Sequence, residues 1–339
     1  MTERIPVAVL GATGMVGQRF VSLLADHPRF RVTTLVASDR SAGKRYGEAG
    51  PWRLEGEPLM QDERVLACDP DLVAPKVVFS ALDKSIAQEM EPRFAAAGCR
   101  VISNASAFRM DPTVPLLIPE INPDHARLVD PSGGYIVTNP NCTCIPMTMV
   151  LAPLHRNFGV LRVTCASYQA VSGAGYPGES AWDMLGNVHP HAGDEEQKVA
   201  EEPRKILGER SGKELQPAAF PISARCVRVP VSDGHLIAVQ VQLQNEVPLE
   251  QVVEAIRDFR SPVSLHSSPQ PLLRILERRD RPQPRLDAAA GGGMAISVGR
   301  IEACEVFTLK FFALAHNAIR GAAGGAIANA ELLDNWGLL

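Results

Sequence analysis

The chain has 339 residues, of which 45% are hydrophobic and 21% are charged. This composition is that of a globular protein and excludes disordered, collagen-like and membrane-embedded classes. The formal net charge of -4 gives no general attraction to nucleic acid or to an anionic membrane, so small molecules are the expected partners. The length suits two domains of ordinary size.

The N-terminal segment and the cysteines indicate the compartment. The opening "MTERIPVAVLGATG" reaches glycine before an apolar core of signal-peptide length, and it has no small-residue cleavage site. The chain has seven cysteines, an odd number, and they are scattered along it. A chain of this length does not need disulfides for its stability. Cysteine and histidine residues do not show the spacing of a zinc site. The sequence therefore predicts a cytoplasmic protein without a metal ion.

The first part of the chain alternates between strand and helix patterns. The strand "IPVAVL" is followed by the loop "GATGMVG", the helical pattern "QRFVSLLADH" and the strand "FRVTTLVAS". Further along, "KVVFSAL" and "RVISN" read as strands on either side of a helix, "KSIAQEMEPRFAAAG", that ends at Gly98. This alternation predicts an α/β fold with a parallel sheet covered by helices on both faces.

The loop after the first strand is rich in glycine. Gly11, Gly14 and Gly17 form a GxxGxxG pattern between a strand and a helix, where backbone N–H groups approach a pyrophosphate. The alternative is a tight turn that binds nothing. At the end of the second strand, hydroxyl and guanidinium groups suit the 2′-phosphate of NADP, although Asp39 leaves NAD open.

The segment "TNPNCTC" places two cysteines between an Asn-Pro-Asn turn and an apolar run. Cys142 is expected at or near a helix N-terminus, where the helix dipole and N–H groups favour the thiolate. Cys144 is expected to point away from Cys142, into the core. On these features alone, Cys142 is either a nucleophile or an inert buried thiol.

From about Val160 the pattern changes to long, partly alternating strand runs such as "LRVTCASYQAVS" and "HLIAVQVQLQ". Such runs predict a mixed or antiparallel sheet in a second domain. The segment "RDRPQPRLDAAAGGGMA" is interpreted as a long loop, and "GAAGGAIANAELLDNW" as the last helix.

Several motifs together resemble one enzyme family. The segments "GATGMVGQRF", "SNASAFRMDP", "TNPNCTC", "QAVSGAGYPG", "RVPVSDGHL" and "NAIRGAAGGAI" resemble aspartate-semialdehyde dehydrogenases of the archaeal and fungal type, in the family's order and along nearly the whole chain. The resemblance implies a Rossmann-type NADP-binding domain and a second α+β domain for catalysis and dimerisation. It also implies a homodimer or a homotetramer.

The family's reaction is the NADP-dependent, reversible reductive dephosphorylation of L-aspartyl-4-phosphate to L-aspartate-4-semialdehyde, through a thioacyl enzyme. It belongs to the biosynthesis of lysine (through diaminopimelate), threonine and methionine. The resemblance implies domains at 1–137 with 318–339 and at 138–317. The small-molecule partners would be aspartate semialdehyde and phosphate, with no nucleic acid or membrane.

The resemblance also assigns site residues. The implied catalytic residues are Cys142, His235 and Gln169. A histidine that titrates near neutrality would take the proton of the thiol or hemithioacetal. The implied substrate-binding residues are Arg109, Asn141, Glu195, Lys198 and Arg228, with Glu196 as an alternative to Glu195. The implied cofactor-binding residues are Gly11, Thr13, Gly14, Met15, Val16, Ser38, Arg40, Ser41, Ser80, Ser172, Gly173 and Asn317.

The sequence leaves other functions open. Malonyl-CoA reductase has the same scaffold and a catalytic cysteine, but it needs room for a CoA thioester. N-acetyl-glutamyl-phosphate reductase shares the mechanism, but should not need an acid for a free substrate ammonium. A third alternative is a catalytically inactive NADP-binding regulator.

Overall fold

The computed structural model describes residues 3–339. The strands are β1 Ile5–Leu10, β2 Phe30–Ala37, β3 Val65–Ala67, β4 Val77–Ser80, β5 Arg100–Ser103, β6 Tyr135–Thr138, β7 Val160–Gln169, β8 Glu209–Ser211, β9 Glu214–Gln216, β10 Ile222–Arg228, β11 His235–Leu243, β12 Leu273–Leu276, β13 Ile296–Ala303 and β14 Leu309–Ala315. The helices are α1 Met15–Leu24, α2 Tyr46–Ala49, α3 Lys84–Ala96, α4 Cys144–Phe158, α5 Ala181–Met184, α6 Glu195–Ile206, α7 Leu249–Arg257, α8 Pro284–Asp287 and α9 Gly324–Asn335.

The chain forms two compact units. The first comprises 1–117, of which the structure describes residue 3 onward, together with 124–139 and 322–339. The second comprises 118–123 and 140–321. The domain bounds predicted from the sequence, 1–137 with 318–339 and 138–317, remain a prediction. Among residues 3–339, no helix is both long and apolar enough to cross a membrane.

The first unit contains a parallel sheet with the strand order β3-β2-β1-β4-β5-β6. The order reverses between β1 and β4, so the carboxyl ends of these two strands flank the crevice where such sheets bind ligands. Buried apolar side chains of β1 and β4, such as Leu10 and Val78, pack with Phe94 of α3. The predicted α/β fold with a parallel sheet is confirmed.

The last helix, α9, belongs to the first unit and is held there by polar contacts. His27 Nδ1 accepts hydrogen bonds from the N–H groups of Arg29 (3.2 Å) and Phe30 (3.1 Å), so Nε2 carries the proton that is donated to Glu331 of α9 at 2.9 Å. Arg29 also pairs with Asp334, with an Nη2 to Oδ1 distance of 3.0 Å. These contacts fasten the C-terminal segment to the start of β2.

The second unit contains a mixed sheet with the strand order β10-β7-β11-β14-β13-β12. The outer pairs β10–β7 and β12–β13 are parallel, and the inner pairs are antiparallel, which confirms the predicted mixed sheet. Alternate residues of β11 are buried, and α4 packs against β7, β11, β13 and β14. One face of the sheet therefore forms the core that supports α4.

One loop prediction is wrong. The segment read as a long loop contains the short helix α8, because Pro284 supplies a helix-compatible φ at its start. The buried carboxylate of Asp287 pairs with Arg281 and accepts the N–H of Gln283 at 2.7 Å. These contacts satisfy groups that a solvated loop would expose to water.

A buried ion pair joins distant parts of the second unit. Arg320 donates from Nη1 and Nη2 to the two carboxylate oxygens of Glu120, at 2.7 and 2.8 Å. Ser268 donates to the same carboxylate at 2.6 Å. Burial acts to raise the pKa of Glu120, but the ion pair and the Ser268 hydrogen bond outweigh it and lower that pKa.

Replacing Glu120 with Gln should lower the free energy of unfolding by about 3–5 kcal/mol, because the buried Arg320 guanidinium loses its counter-charge. Urea denaturation followed by circular dichroism measures this loss. The double variant Glu120→Leu with Arg320→Met should lose less than Glu120→Gln, since it leaves no buried charge. A loss below about 1 kcal/mol for Glu120→Gln would contradict the assigned role of the pair.

Candidate active site

The turn that leads into helix α4 begins with Asn141. The Asn141 carbonyl accepts the N–H of Cys144 at 3.0 Å and that of Ile145 at 3.3 Å, and its Oδ1 accepts the N–H of Thr143 at 2.8 Å. These are the contacts of a capping asparagine. Cys142 therefore lies just before the N-terminus of α4, where the positive end of the helix dipole favours a thiolate. The predicted position of Cys142 is confirmed.

The two cysteines of this segment have different surroundings. Cys144 is fully buried, and its Sγ lies 3.4 Å from the carbonyl oxygen of Lys198, which confirms that it is a core residue. Cys142 is only partly buried. A chain-distant glycine, Gly321, lies against it in a π-helical turn: a Cβ on Gly321 would be 2.5 Å from the Cβ of Cys142. Only glycine fits there, and no local sequence pattern indicated this contact.

The acidic residues at the start of α6 face in two directions. Glu195 accepts hydrogen bonds from Asn141 Nδ2 at 2.8 and 3.0 Å. Glu196 instead pairs with the exposed Arg225 at 2.9 Å and accepts the N–H of Cys226. Of the two alternatives, Glu195 is thus the carboxylate next to Asn141.

Lys198 lies beside Glu195, with an Nζ to Oε1 distance of 3.0 Å, and is also 2.6 Å from Asp194. Burial acts to lower the pKa of Lys198, but the carboxylates of Glu195 and Asp194 raise it overall. The ammonium group therefore stays charged at neutral pH and suits an anion such as phosphate.

Gln169 and Arg228 lie at the ends of two neighbouring strands. They are paired in register across β7 and β10. Arg228 Nη1 donates to Gln169 Oε1 at 3.0 Å and to the carbonyl oxygen of Ala170 at 3.1 Å, while Gln169 Nε2 lies 3.4 Å from Glu195. A continuous hydrogen-bonded chain thus runs from Asn141 through Glu195 and Gln169 to Arg228.

His235, the first residue of β11, is fully buried. The expectation that it titrates near neutrality is wrong in this structure: burial, with the charges of Arg228 and His316, lowers the pKa of His235 to about 3. The N–H of Ala170 donates to Nδ1 at 3.1 Å, so the neutral ring carries its proton on Nε2. In the part of the chain that the structure describes, Nε2 has no hydrogen-bond partner.

The predicted cofactor residues of the second unit lie beside this histidine. Asn317 Nδ2 donates to Ser172 Oγ at 2.8 Å, and Asn317 Oδ1 accepts the N–H of Gly234 at 2.8 Å. A Cβ on Gly173 would lie 2.8 Å from Arg228 Nη1 and 2.9 Å from His235 Nε2. The backbone of Gly173 therefore lies close to the Arg228 guanidinium and the His235 imidazole.

The glycine loop of the first unit has the geometry of a phosphate-binding turn. Gly11 has φ of +72°, and a Cβ there would lie 2.6 Å from the oxygen of Ala81. Gly14 is the N-cap residue of α1, and within the described residues no side chain accepts a hydrogen bond from the first N–H groups of this helix. Thr13, Met15 and Val16 complete the loop and the first turn. The uncapped N–H groups of α1 fit a pyrophosphate.

The other predicted residues of the first unit differ in exposure. Ser38 and Arg40 are exposed after β2, as a 2′-phosphate site requires, whereas Ser41 is buried and its hydroxyl lies 3.4 Å from the Ala49 oxygen. Ser80 is fully buried at the end of β4. Arg109 is also buried, and its Nη2 donates to the Asn104 carbonyl at 2.6 Å.

Two family models match the chain. The model described as "Semialdehyde dehydrogenase, NAD binding domain" covers residues 6–129, and "Semialdehyde dehydrogenase, dimerisation domain" covers residues 151–320. The chain is 48% identical to an aspartate-semialdehyde dehydrogenase of Archaeoglobus fulgidus, over 97% of this chain and 98% of that protein. It is 41% identical to the Schizosaccharomyces pombe protein of the same name, over 98% of this chain and 99% of that protein.

A solved structure supports the same relationship. The crystal structure of aspartate semialdehyde dehydrogenase with NADP from Candida albicans matches with a TM-score of 0.92 and 36% identity, covering 99% of this chain and 100% of that chain. Sequence and fold agree over nearly the full length of both proteins. The chain therefore belongs to the aspartate-semialdehyde dehydrogenase family.

Proposed function

We propose that the protein catalyses the reversible, NADP-dependent reduction of L-aspartyl-4-phosphate to L-aspartate-4-semialdehyde in aspartate-family amino-acid biosynthesis. The observation that carries this proposal is the position of Cys142 at the N-terminus of α4, next to the hydrogen-bonded chain from Asn141 to Arg228. A thiol at a helix N-terminus is a nucleophile suited to acyl transfer.

In the biosynthetic direction, the Cys142 thiolate attacks the C4 carbonyl carbon of aspartyl phosphate. The bond from that carbon to the phosphate oxygen breaks, phosphate leaves, and a thioester remains on Cys142. NADPH, when bound, supplies the hydride that reduces this thioester. The hemithioacetal on Cys142 then releases the semialdehyde and regenerates the thiolate.

Each charged residue of the site is proposed to bind a different group of the substrate. Arg228 suits the α-carboxylate, because a guanidinium binds a carboxylate through two hydrogen bonds. Glu195 suits the α-ammonium, while Lys198 and Arg109 suit the phosphate. A carboxylate held against Asn141 favours a substrate with a free amino group. The same carboxylate argues against a substrate that is a CoA thioester or that carries an acylated amino group.

His235 is proposed to act as a hydrogen-bond donor. Because Nδ1 accepts from the N–H of Ala170, the proton on Nε2 is directed to the substrate oxygen as that oxygen gains negative charge. The neutral imidazole donates this hydrogen bond from Nε2–H without first gaining a second proton. Gln169 is proposed to orient the bound acyl group beside it.

The glycine loop and the segment after β2 are proposed to bind NADP, within a dinucleotide-binding domain of 1–137 and 318–339. Gly11, Gly14 and the first turn of α1 suit the pyrophosphate, and Ser38 and Arg40 suit the 2′-phosphate. The domain of 138–317 is proposed to carry catalysis. The cytoplasm is the proposed compartment, because the odd number of scattered cysteines suits reduced thiols.

The protein is proposed to form a homodimer, or a tetramer built from two dimers, through the second sheet. Ala166, Ala238 and Phe312 are cross-strand neighbours on the face opposite the core, and Tyr168, which pairs with Leu236, is 40% exposed. An apolar patch at the centre of a partly polar sheet is typical of a subunit interface. The matching dimerisation-domain model includes these strands.

The purified protein should form NADPH from NADP and aspartate semialdehyde only when phosphate is present, because phosphate must release the thioester. Absorbance at the NADPH band measures this turnover, with phosphate-free buffer as the control. NADPH formation at the same rate without phosphate would refute the proposed reaction. Reduction of malonyl-CoA by NADPH, instead of turnover of aspartate semialdehyde, would also refute it.

Replacing Cys142 with Ala should abolish turnover and leave NADP binding intact, since only the nucleophile is lost. Replacing Cys144 with Ala is the matched control and should retain most of the activity, because Cys144 is a core residue. Steady-state kinetics and NADP titration measure both variants. An active Cys142→Ala enzyme alongside an inactive Cys144→Ala enzyme would reverse the assignment of the nucleophile.

The low pKa of His235 should make stability depend on pH. Between about 3 and 6.5 the unfolded chain binds a proton that the folded His235 does not, so stability is full above this range and falls as the pH drops through it. From pH 7 to 5 the contribution is about 2 kcal/mol. Urea unfolding at both pH values should show this extra loss in the wild type and not in His235→Asn. Equal losses would contradict a buried neutral histidine.

A further inference from the structure

A second carboxylate of α6 also contacts Asn141. Glu202 lies seven residues after Glu195, two helical turns further along, so both residues project from the same side of the helix. Glu202 Oε2 accepts the backbone N–H of Asn141 at 2.6 Å, and the residue is only 1% exposed. The first carboxylate thus contacts the side chain of Asn141, and the second contacts its backbone.

The backbone N–H of Asn141 needs such an acceptor. Asn141 is buried, and an unpaired buried N–H costs about 1–3 kcal/mol. The N–H precedes the first turn of α4 and comes directly after Pro140, so no helical carbonyl is placed to accept it. The Glu202 oxygen accepts this N–H in a short hydrogen bond, which fixes the peptide plane between Pro140 and Asn141.

This peptide plane determines the position of the residues on its C-terminal side. Asn141 Oδ1 caps the N–H of Thr143, Asn141 Nδ2 donates to Glu195, and the next residue in the chain is Cys142. If the backbone of Asn141 rotated, the cap, the contact with Glu195 and the thiol would all move together. The direction of the thiol therefore depends on the contact between Glu202 and Asn141.

We propose that Glu202 is a positioning residue for the reaction: its carboxylate holds the Asn141 backbone so that Cys142 points at the substrate carbonyl. This inference rests on the proposed role of Cys142 as nucleophile. Glu202 acts as a hydrogen-bond acceptor, and its negative charge is secondary.

Three variants test the proposal. Glu202→Gln removes the charge and keeps an acceptor oxygen, Glu202→Leu removes both at similar size, and Glu201→Leu is a matched control on the adjacent residue, which makes an exposed hydrogen bond with Gln197. Glu202→Leu should lose about 10- to 100-fold in kcat, because a small misplacement of a reacting group has that cost. Its KM for NADP should not change, and Glu202→Gln and Glu201→Leu should stay within about 3-fold of the wild-type kcat.

A second readout does not require turnover. The rate at which iodoacetamide alkylates Cys142, measured against pH in the full-length protein, reports the thiolate and its surroundings. Because Glu202→Gln and Glu202→Leu both remove the charge, any difference between them reports the hydrogen bond. We expect slower alkylation at pH 7 for Glu202→Leu than for Glu202→Gln. Circular dichroism confirms folding, and Glu202→Met repeats the comparison if leucine prevents it.

Equal kcat values and equal alkylation rates for Glu202→Leu and Glu202→Gln would overturn the proposal. Loss of activity in Glu202→Gln to the level of Glu202→Leu would also overturn it, since the charge would then be the determinant. Absence of turnover in the wild type would instead refute the proposed function. The alkylation comparison would still decide whether Glu202 positions the thiol.

Discussion

The hydrogen bonds of Asn141 are the constraint on which the candidate site depends. This residue uses its side-chain oxygen to cap the start of α4, its side-chain nitrogen to hold Glu195 and its backbone N–H to reach Glu202. Each group is buried, so each must find a partner or destabilise the fold. The requirement to satisfy one residue thereby fixes α4 and α6 relative to each other. The thiol of Cys142 and the acid of Glu195 are placed by the same junction.

The charges around this junction are balanced locally. The Glu195 carboxylate contacts the Asn141 amide and the Lys198 ammonium, and Lys198 also contacts the carboxylate of Asp194. Arg228 donates hydrogen bonds only to neutral oxygen atoms, those of Gln169 and Ala170, among the contacts described above. Arg228 is thus proposed as the cation whose charge is available to a substrate carboxylate. The same positive charge helps to keep His235 neutral. In the proposed mechanism, the Arg228 guanidinium therefore has two roles: it binds the anionic substrate, and it helps to keep the His235 imidazole unprotonated.

The sequence predicted the features that depend on local pattern. The strands and helices around the glycine loop follow from periodicity, and the helix start near Cys142 follows from the Asn-Pro-Asn turn. The contacts of Gly321 and Glu202 were not predicted, because they join residues far apart in the chain. The neutral state of His235 was also missed, since burial and the approach of Arg228 follow from packing. The short helix α8 was hidden by a Pro- and Gly-rich composition.

The proposed nucleophile, Cys142, is therefore held in place less by its own motif than by the core of the second unit. Glu202 approaches its segment from α6, and Gly321 approaches it from a turn that the buried pair of Arg320 and Glu120 anchors. Bringing such distant segments together costs chain entropy, and ion pairing and apolar packing must offset that cost. Once the core has formed, the position of Cys142 has little freedom left. The segment "TNPNCTC" supplies the reactive group and the cap, and the long-range core determines where the reactive group points.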